Sequence, residues 1–188
     1  MKDCKALIIG GSAGSLEVLL KVLPDLKVDL NFPVIVVMHR KAGNENLLTD
    51  LFRARTKLKV KEIEEKLKLE PSVIYIAPPD YHLLLEKNKS FSLDASEKVN
   101  FSRPSIDVTF ESAAEIYTTT LVCLLLSGAN SDGTLGLQKV HKKGGLTLVQ
   151  DPLSAVVPFM PKHALDNAEI DEVLDPEAMA NYINKLSS

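Results

Sequence analysis

Cysteine is nearly absent: Cys4 and Cys123 are the two in 188 residues. That is too few for a disulfide framework. Neither a CxxC pair nor a Cys/His cluster with zinc spacing occurs, so no structural metal site is expected. Cys123 lies inside the apolar run 121–126 and reads as a small buried hydrophobe. Long apolar runs are missing too. The stretches 33–38 and 121–126 are far too short to span a bilayer. The N-terminus, MKDCKALIIGG, has too brief an apolar segment for a secretory signal. Membrane insertion is therefore not expected, and a soluble, reduced, cytoplasmic protein is. A basic excess is also lacking. Lys and Arg number 22 against 25 Asp and Glu, for a net charge of −3, so nucleic acid is not an expected partner.

Short, continuous apolar runs rich in Val and Ile are present, each stopped by a polar or glycine-rich turn. They are Ala6-Leu7-Ile8-Ile9, Val34 to Met38, Val73 to Ile76, Leu121 to Leu126 and Leu146 to Val149. Runs that do not alternate read as strands buried on both faces of a mostly parallel sheet. Helical spacing falls between them, at residues 15–22, 106–117, 134–143 and 176–186. The last of these opens with Asp175 as N-cap and Pro176 at the first helical position. Strands alternating with helices predict an α/β fold: a doubly wound, mostly parallel sheet with helices on both faces. Residues 82–94 break the alternation and predict an antiparallel hairpin near one sheet edge. Residues 58–69 predict a short strand followed by a loop. One domain spans 1–188.

In open α/β sheets, ligands bind beyond the carboxyl ends of the strands. Three candidate residues end up on that rim: Ser12 after the first strand, His39 after the second, and Asp132 after the 121–126 run. Together they can form an ester-cleaving group, with His taking the serine proton and Asp orienting the imidazole. Gly10-x-Ser12-x-Gly14 has the G-x-S-x-G form between a strand and a helix, where a sharp turn projects the hydroxyl. A glycine-rich turn of this kind also suits phosphate. The loop nevertheless lacks both G-x-x-x-x-G-K-[ST] and G-x-G-x-x-G spacing, and His39 stands where a dinucleotide fold places an acid for the ribose. Taken singly, His39 reads as a strand-end residue and Asp132 as a turn former or N-cap for the helix at Thr134. His82 reads as structural, His141 as a cation in a helix's last turn, and His163 as lying near a helix start.

The segments GGSAGS, VVMHR, YIAPPDYHLL, SRPSIDVTFESAA, LLLSGANSDGTLGL and GGLTLVQDPLSAVVPFMPKHAL, in that order, resemble the catalytic domain of the chemotaxis protein-glutamate methylesterases of CheB type. The resemblance runs from about Lys5 to about Pro176. It implies a serine hydrolase that removes methyl groups from glutamate methyl esters on the signalling helices of chemoreceptor cytoplasmic domains, and deamidates certain glutamines there. By the resemblance, Ser12 would be the nucleophile, His39 the general base and then acid, and Asp132 the residue that orients His39. Backbone N–H groups near Ala13 and Ala129 would hold the oxyanion, and Arg40 and Arg103 would line the substrate cleft and hold acidic receptor helices. No metal or organic cofactor is implied.

The chain departs from the family pattern in two turns. G-x-S-T-G-G becomes a turn with Ala13 and Ser15, and T-G-M-G-x-D-G becomes one with Ala129 and Asn130. Asn tolerates the backbone angles of the lost glycine, so the second turn is expected to survive. These changes bear on the oxyanion pocket rather than on the triad. No receiver domain is expected within 1–188, so control would fall to a separate regulatory protein or be absent. A non-catalytic binding module of the same fold and an esterase for a different carboxylic ester are the competing readings.

Overall fold

A strand that is apolar at every position has to be covered on both sides. In the computed structural model, which describes residues 3–41, 43 and 45–187, two layers of helices provide that cover. The chain runs β1 (Ala6–Gly11), α1 (Ser15–Val22), β2 (Val34–Met38), α2 (Glu45–Arg53), β3 (Lys59–Glu62), β4 (Val73–Ile76), β5 (His82–Leu85), β6 (Phe91–Asp94), α3 (Ile106–Tyr117), β7 (Leu121–Leu125), α4 (Thr134–Lys142), β8 (Leu146–Gln150), α5 (Phe159–Asn167), β9 (Glu172–Leu174) and α6 (Pro176–Lys185). Seven strands form one sheet in the order β3-β4-β2-β1-β7-β8-β9. Every pairing in it is parallel.

Alternate residues of each strand face opposite sides of the sheet, and the core divides accordingly. Leu7, Ile9, Val34, Val36, Val122 and Leu124 pack with Val18, Leu19 and Val22 of α1, Phe52 of α2 and Ile183 of α6. Ile8, Ile35, Val37, Cys123 and Leu125 pack with Phe110 of α3, Leu137 of α4 and Ala164 of α5. Cys123 is fully buried, which pushes its thiol well above the ordinary value. It is a packing residue, as its sequence context indicates. No helix among the described residues is long and apolar enough to cross a membrane.

The structure differs from the sequence reading in four places. The hairpin β5–β6 is antiparallel as expected, but it forms its own two-stranded sheet instead of extending an edge of the large one. The reason is that α3 supplies its partners. Thr109 Oγ1 donates to Leu83 O (2.9 Å), Leu85 N–H donates to Ser112 Oγ (3.2 Å), and Leu83 and Leu85 are buried. Helix α2, the bounds of α5 around the helix start expected near His163, and the short strand β9 were not expected from periodicity. Phe159–Asn167 contains Pro161 near its start, where the missing N–H is harmless. The segment 58–69 is a strand followed by a loop, as read.

Helices α3 and α4 lie against each other where Gly136 meets Phe110. A Cβ added at Gly136 would stand 2.5 Å from Phe110 Cβ. Gly136→Ala is expected to force the two helices apart and to lower stability by about 1–3 kcal/mol. The neighbouring exposed Leu135 is the control, and its replacement by Ala should change stability by less than about 0.5 kcal/mol. Urea unfolding of both variants checks this. Equal midpoints would mean that the helices do not depend on the small residue.

Candidate active site

The strand order reverses direction at the β1/β7 boundary, because chain segments after β1 build outward through β2 while β7 starts the other half. Such a boundary opens a crevice at the carboxyl ends. Ser12 follows β1, His39 follows β2 and Asp132 lies in the turn after β7. The parallel register sets Gly11 beside Met38, and His39 N–H donates to Gly11 O (3.1 Å), so the next residue on each strand emerges side by side. Ser12 N–H in turn donates to Ser127 O (2.9 Å) on the β7 side. Gly14, at φ +82°, is the N-cap of α1. A Cβ there would come within 2.7 Å of Ser127 Oγ, so the turn that carries Ser12 needs glycine at this position.

His39 Nε2 and Asp132 Oδ2 are 2.7 Å apart. Asp132 is fully buried and accepts five further hydrogen bonds. They come from Ile106 N–H (2.7 Å), Ser105 Oγ (2.9 Å), Asp107 N–H (2.9 Å), Asn100 Nδ2 (3.0 Å) and its neighbour Gly133 N–H (3.1 Å). Two of these amides open α3, whose first turn has no intrahelical acceptors and carries partial positive charge. Asp132 therefore belongs to the N-terminus of α3. It is not the cap of α4, whose N-cap is Gly133 with no side-chain cap. Burial alone would raise the Asp132 carboxyl. The hydrogen bonds from His39, Asp107 N–H, Ile106 N–H and Asn100 outweigh it and hold the group below the usual carboxylate range. An ionised Asp132 can only accept, so the His39 proton sits on Nε2 and the nitrogen left to act as base is Nδ1.

The Ser12 hydroxyl makes no hydrogen bond among the described residues. No hydrogen bond therefore joins Ser12 Oγ to the His39 ring among the described residues, a contact that is often long or absent without substrate. Ser12 N–H and Gly128 N–H are already engaged, the latter with Val157 O (3.0 Å). The N–H groups of Ala13 and Ala129 are not engaged among the described residues, and both residues are exposed. These two amides are therefore open to an outside hydrogen-bond acceptor. Buried Ser127 ties this wall together: its hydroxyl donates to Ala13 O (2.7 Å) and accepts from Val157 N–H (2.9 Å).

A match to the family model described as CheB methylesterase covers residues 7–183. The chain belongs to the CheB methylesterase family. Its relatives include a Leptospira interrogans protein, 42% identical over 182 residues, which cover 97% of this chain and 94% of that protein. A Thermotoga maritima protein named protein-glutamate methylesterase/protein-glutamine glutaminase is 36% identical over 173 residues, which are 90% of this chain and 50% of that one. The crystal structure of the Thermotoga maritima CheB methylesterase catalytic domain superposes with a TM-score of 0.93 at 34% identity, covering 97% of this chain and 98% of that one.

Beside His39 the CheB-family fold leaves a cleft of about 360 Å³ lined by Arg40, Lys41, Lys98, Arg103, Phe101 and Asp80, among others. Arg40 and Arg103 both line this cleft. Their guanidinium groups also brace its walls. Arg40 Nη2 bonds Glu62 Oε2 (3.1 Å) and Ala77 O (3.2 Å), and Arg103 Nη1 bonds Ala95 O and Ser96 O (2.7 Å each). Lys41 and Lys98 add cations that the sequence reading did not single out. His82 is structural as read: Nε2 donates to Glu97 O (2.8 Å) and Nδ1 accepts from Ser105 N–H (3.1 Å). His141 pairs with Glu169, and His163 bonds Thr134 Oγ1 from within α5. No group of three or more His, Cys, Asp or Glu side chains converges on a metal position among the described residues.

Sequence reasoning missed Asn100, Ser105, Asp107 and Ser127. Ser105 carries the N-cap signal of α3, but nothing in the sequence aims it at Asp132. Asp107 sits in a helix's first turn, where acids usually face water. Here it is buried, and burial, with the Asp132 charge adding, pushes it up to about 7 against the pull of the Gly136 N–H.

Two predictions follow from this geometry. Asp132→Asn should retain the fold and lower Ser12 reactivity toward a fluorophosphonate roughly 10⁴-fold, because His39 loses the acceptor that fixes its tautomer. The second concerns pH. The folded state holds the Asp107 proton more tightly than the unfolded chain does, so this group's contribution to stability is full below pH ~4 and falls as pH rises toward ~7. Thermal unfolding of wild type and Asp107→Asn between about pH 4 and 8 should show a flatter profile for the variant. Parallel profiles would show that Asp107 does not titrate in the fold.

Proposed function

We propose that this chain is a serine hydrolase that demethylates glutamate methyl esters, and deamidates glutamines, on the signalling helices of chemoreceptor cytoplasmic domains in the cytoplasm. The observation that supports it most is the buried, donor-saturated Asp132 holding His39 beside the Ser12 turn. The name of the Thermotoga maritima relative, protein-glutamate methylesterase/protein-glutamine glutaminase, suggests the substrate class. In this reading Ser12 Oγ attacks the ester carbonyl while His39 Nδ1 takes its proton. The carbonyl oxygen, now negative, meets the Ala13 and Ala129 N–H groups. His39 returns the proton to the departing methoxide, so methanol leaves and an acyl-Ser12 ester remains. Water then attacks that ester, again deprotonated by His39, and the regenerated Ser12 releases a free glutamate. With glutamine the leaving group is ammonia, and the later steps are the same. The basic lining of the cleft suits an acidic helix surface.

The test follows methanol release from a methyl-labelled chemoreceptor signalling domain. Wild type should release it, and Ser12→Ala should reduce the rate by at least about 10³-fold. Wild type that releases no methanol yet is labelled at Ser12 by a fluorophosphonate would be an esterase for a different substrate. Neither release nor labelling would leave the binding-module reading standing.

A further inference from the structure

The triad leaves two inward-facing polar side chains without a task, Asn100 and Asp107. The Asn100 amide nitrogen carries two hydrogens and stands between two carboxyls, 2.8 Å from Asp107 Oδ2 and 3.0 Å from Asp132 Oδ1. Asp107 Oδ1 accepts from Gly136 N–H at 2.7 Å. We propose that Asn100 and Asp107 are positioning residues for the His39–Asp132 pair: the Asn100 amide separates and bridges the two buried acids, and the charge on Asp107 sets how firmly His39 holds the proton taken from Ser12.

Three observations carry this. First, the backbone is bent to deliver the amide. Asn100 and Phe101 are consecutive residues with positive φ, 51° and 62°. Such angles are strained for non-glycine residues and persist only where the surroundings hold them. Val99 and Ser102 exchange both backbone hydrogen bonds across the bend (3.1 and 2.9 Å). This turns Asn100 inward and leaves Phe101 97% exposed. Second, an amide side chain at 107 could accept the Gly136 N–H equally well, yet the chain places a second acid beside Asp132, which is unfavourable for packing alone. Third, the titratable groups around Asp107 are few. Asp132 approaches from the turn before α4. His39 lies behind it at the end of β2. His82 of β5 meets the start of α3 through its Nδ1, which accepts from Ser105 N–H. Negative charge on Asp107 therefore acts on the His39–Asp132 pair and favours the imidazolium. The upward displacement of Asp107 to about 7 puts its ionisation in the range where an imidazole side chain ordinarily changes charge.

The inference rests on the triad reading of the preceding subsection, but its test needs no receptor substrate. The imidazole resonance of His39, assigned with His39→Gln, is titrated by NMR in wild type and Asp107→Asn. The rate of Ser12 labelling by a fluorophosphonate is measured across the same pH range. Asp107→Asn should move the His39 midpoint and the acid limb of the labelling profile to lower pH by roughly half to one unit. Asn100→Ala, a loop change, should lower the maximal labelling rate about tenfold with little change in the concentration giving half of it. A folded Asp107→Asn whose His39 midpoint matches wild type overturns the role of Asp107. Labelling by Asn100→Ala at the wild-type maximal rate overturns that of Asn100, and decides the matter if Asp107→Asn does not fold. A shifted His39 midpoint without methanol release from the receptor would support the positioning role while removing the proposed substrate.

Discussion

The structure depends on keeping one charge buried. An isolated carboxylate taken from water into the protein interior costs several kcal/mol, and Asp132 is fully buried. It is tolerated because six donors surround it. Those donors come from four separate parts of the chain: the end of β2, the loop carrying Asn100, the first turn of α3, and the turn before α4. Each of these parts is fixed in turn. The N-cap residue Ser105 is held by His82 on the hairpin, so even the small detached sheet has a place in the arrangement. Helix α4 can approach α3 closely enough for Gly136 to bond Asp107 because it carries no side chain at that position.

The two halves of the site differ in rigidity. His39 is fixed at Nε2 by Asp132 and at its backbone by Gly11 O. Its orientation and tautomer are therefore set before any substrate arrives, as electrostatic preorganisation requires. Ser12 is positioned only through its backbone, with its hydroxyl left unbonded among the described residues. A hydroxyl that is already hydrogen-bonded elsewhere would have to break that bond before attacking. The sheet explains how both conditions are met together: the parallel register of β1 and β2 sets the spacing, while the switch of direction between β1 and β7 leaves the crevice open above Ser12.

The sequence carried the parts of this arrangement that are local. Continuous Val- and Ile-rich runs identify β1, β2, β4, β7 and β8, and helical spacing identifies α3 with the bounds observed. Ser12, His39 and Asp132 were legible because each follows a recognisable strand end. The supporting residues Asn100, Ser105 and Asp107 were not, since their roles come from contacts made 25 to 32 positions away along the chain. Asp107 shows why. Its helical position is one where an acid normally faces water, and only the approach of α4 and Asp132 makes it buried. The hairpin's place was also out of reach. Its strands read correctly as a pair, but nothing local says that the side chains of α3 satisfy its backbone in place of a sheet edge.

The departures from the family pattern take a different meaning in the folded site. Two turn glycines of that pattern are Ser15 and Asn130 here, and the expectation was that Asn would serve by tolerating unusual backbone angles. Asn130 is not among the residues with positive φ. Its side chain instead accepts the Asp132 N–H at 3.0 Å, an Asx turn that braces the residue holding His39. Ser15 does the same for the other turn, its hydroxyl donating to Ser12 O at 2.6 Å from a fully buried position. Each replacement exchanges backbone freedom for a side-chain bond within its own turn. A glycine has more conformational freedom to lose on folding, so the exchange stiffens both turns where Ser12 and Asp132 have to be held. Ala13 and Ala129 place small side chains beside two exposed amides and take no part in either turn's bracing. The changes that look like erosion of the motifs therefore leave Ser12 and Asp132 each braced by a side chain of its own turn.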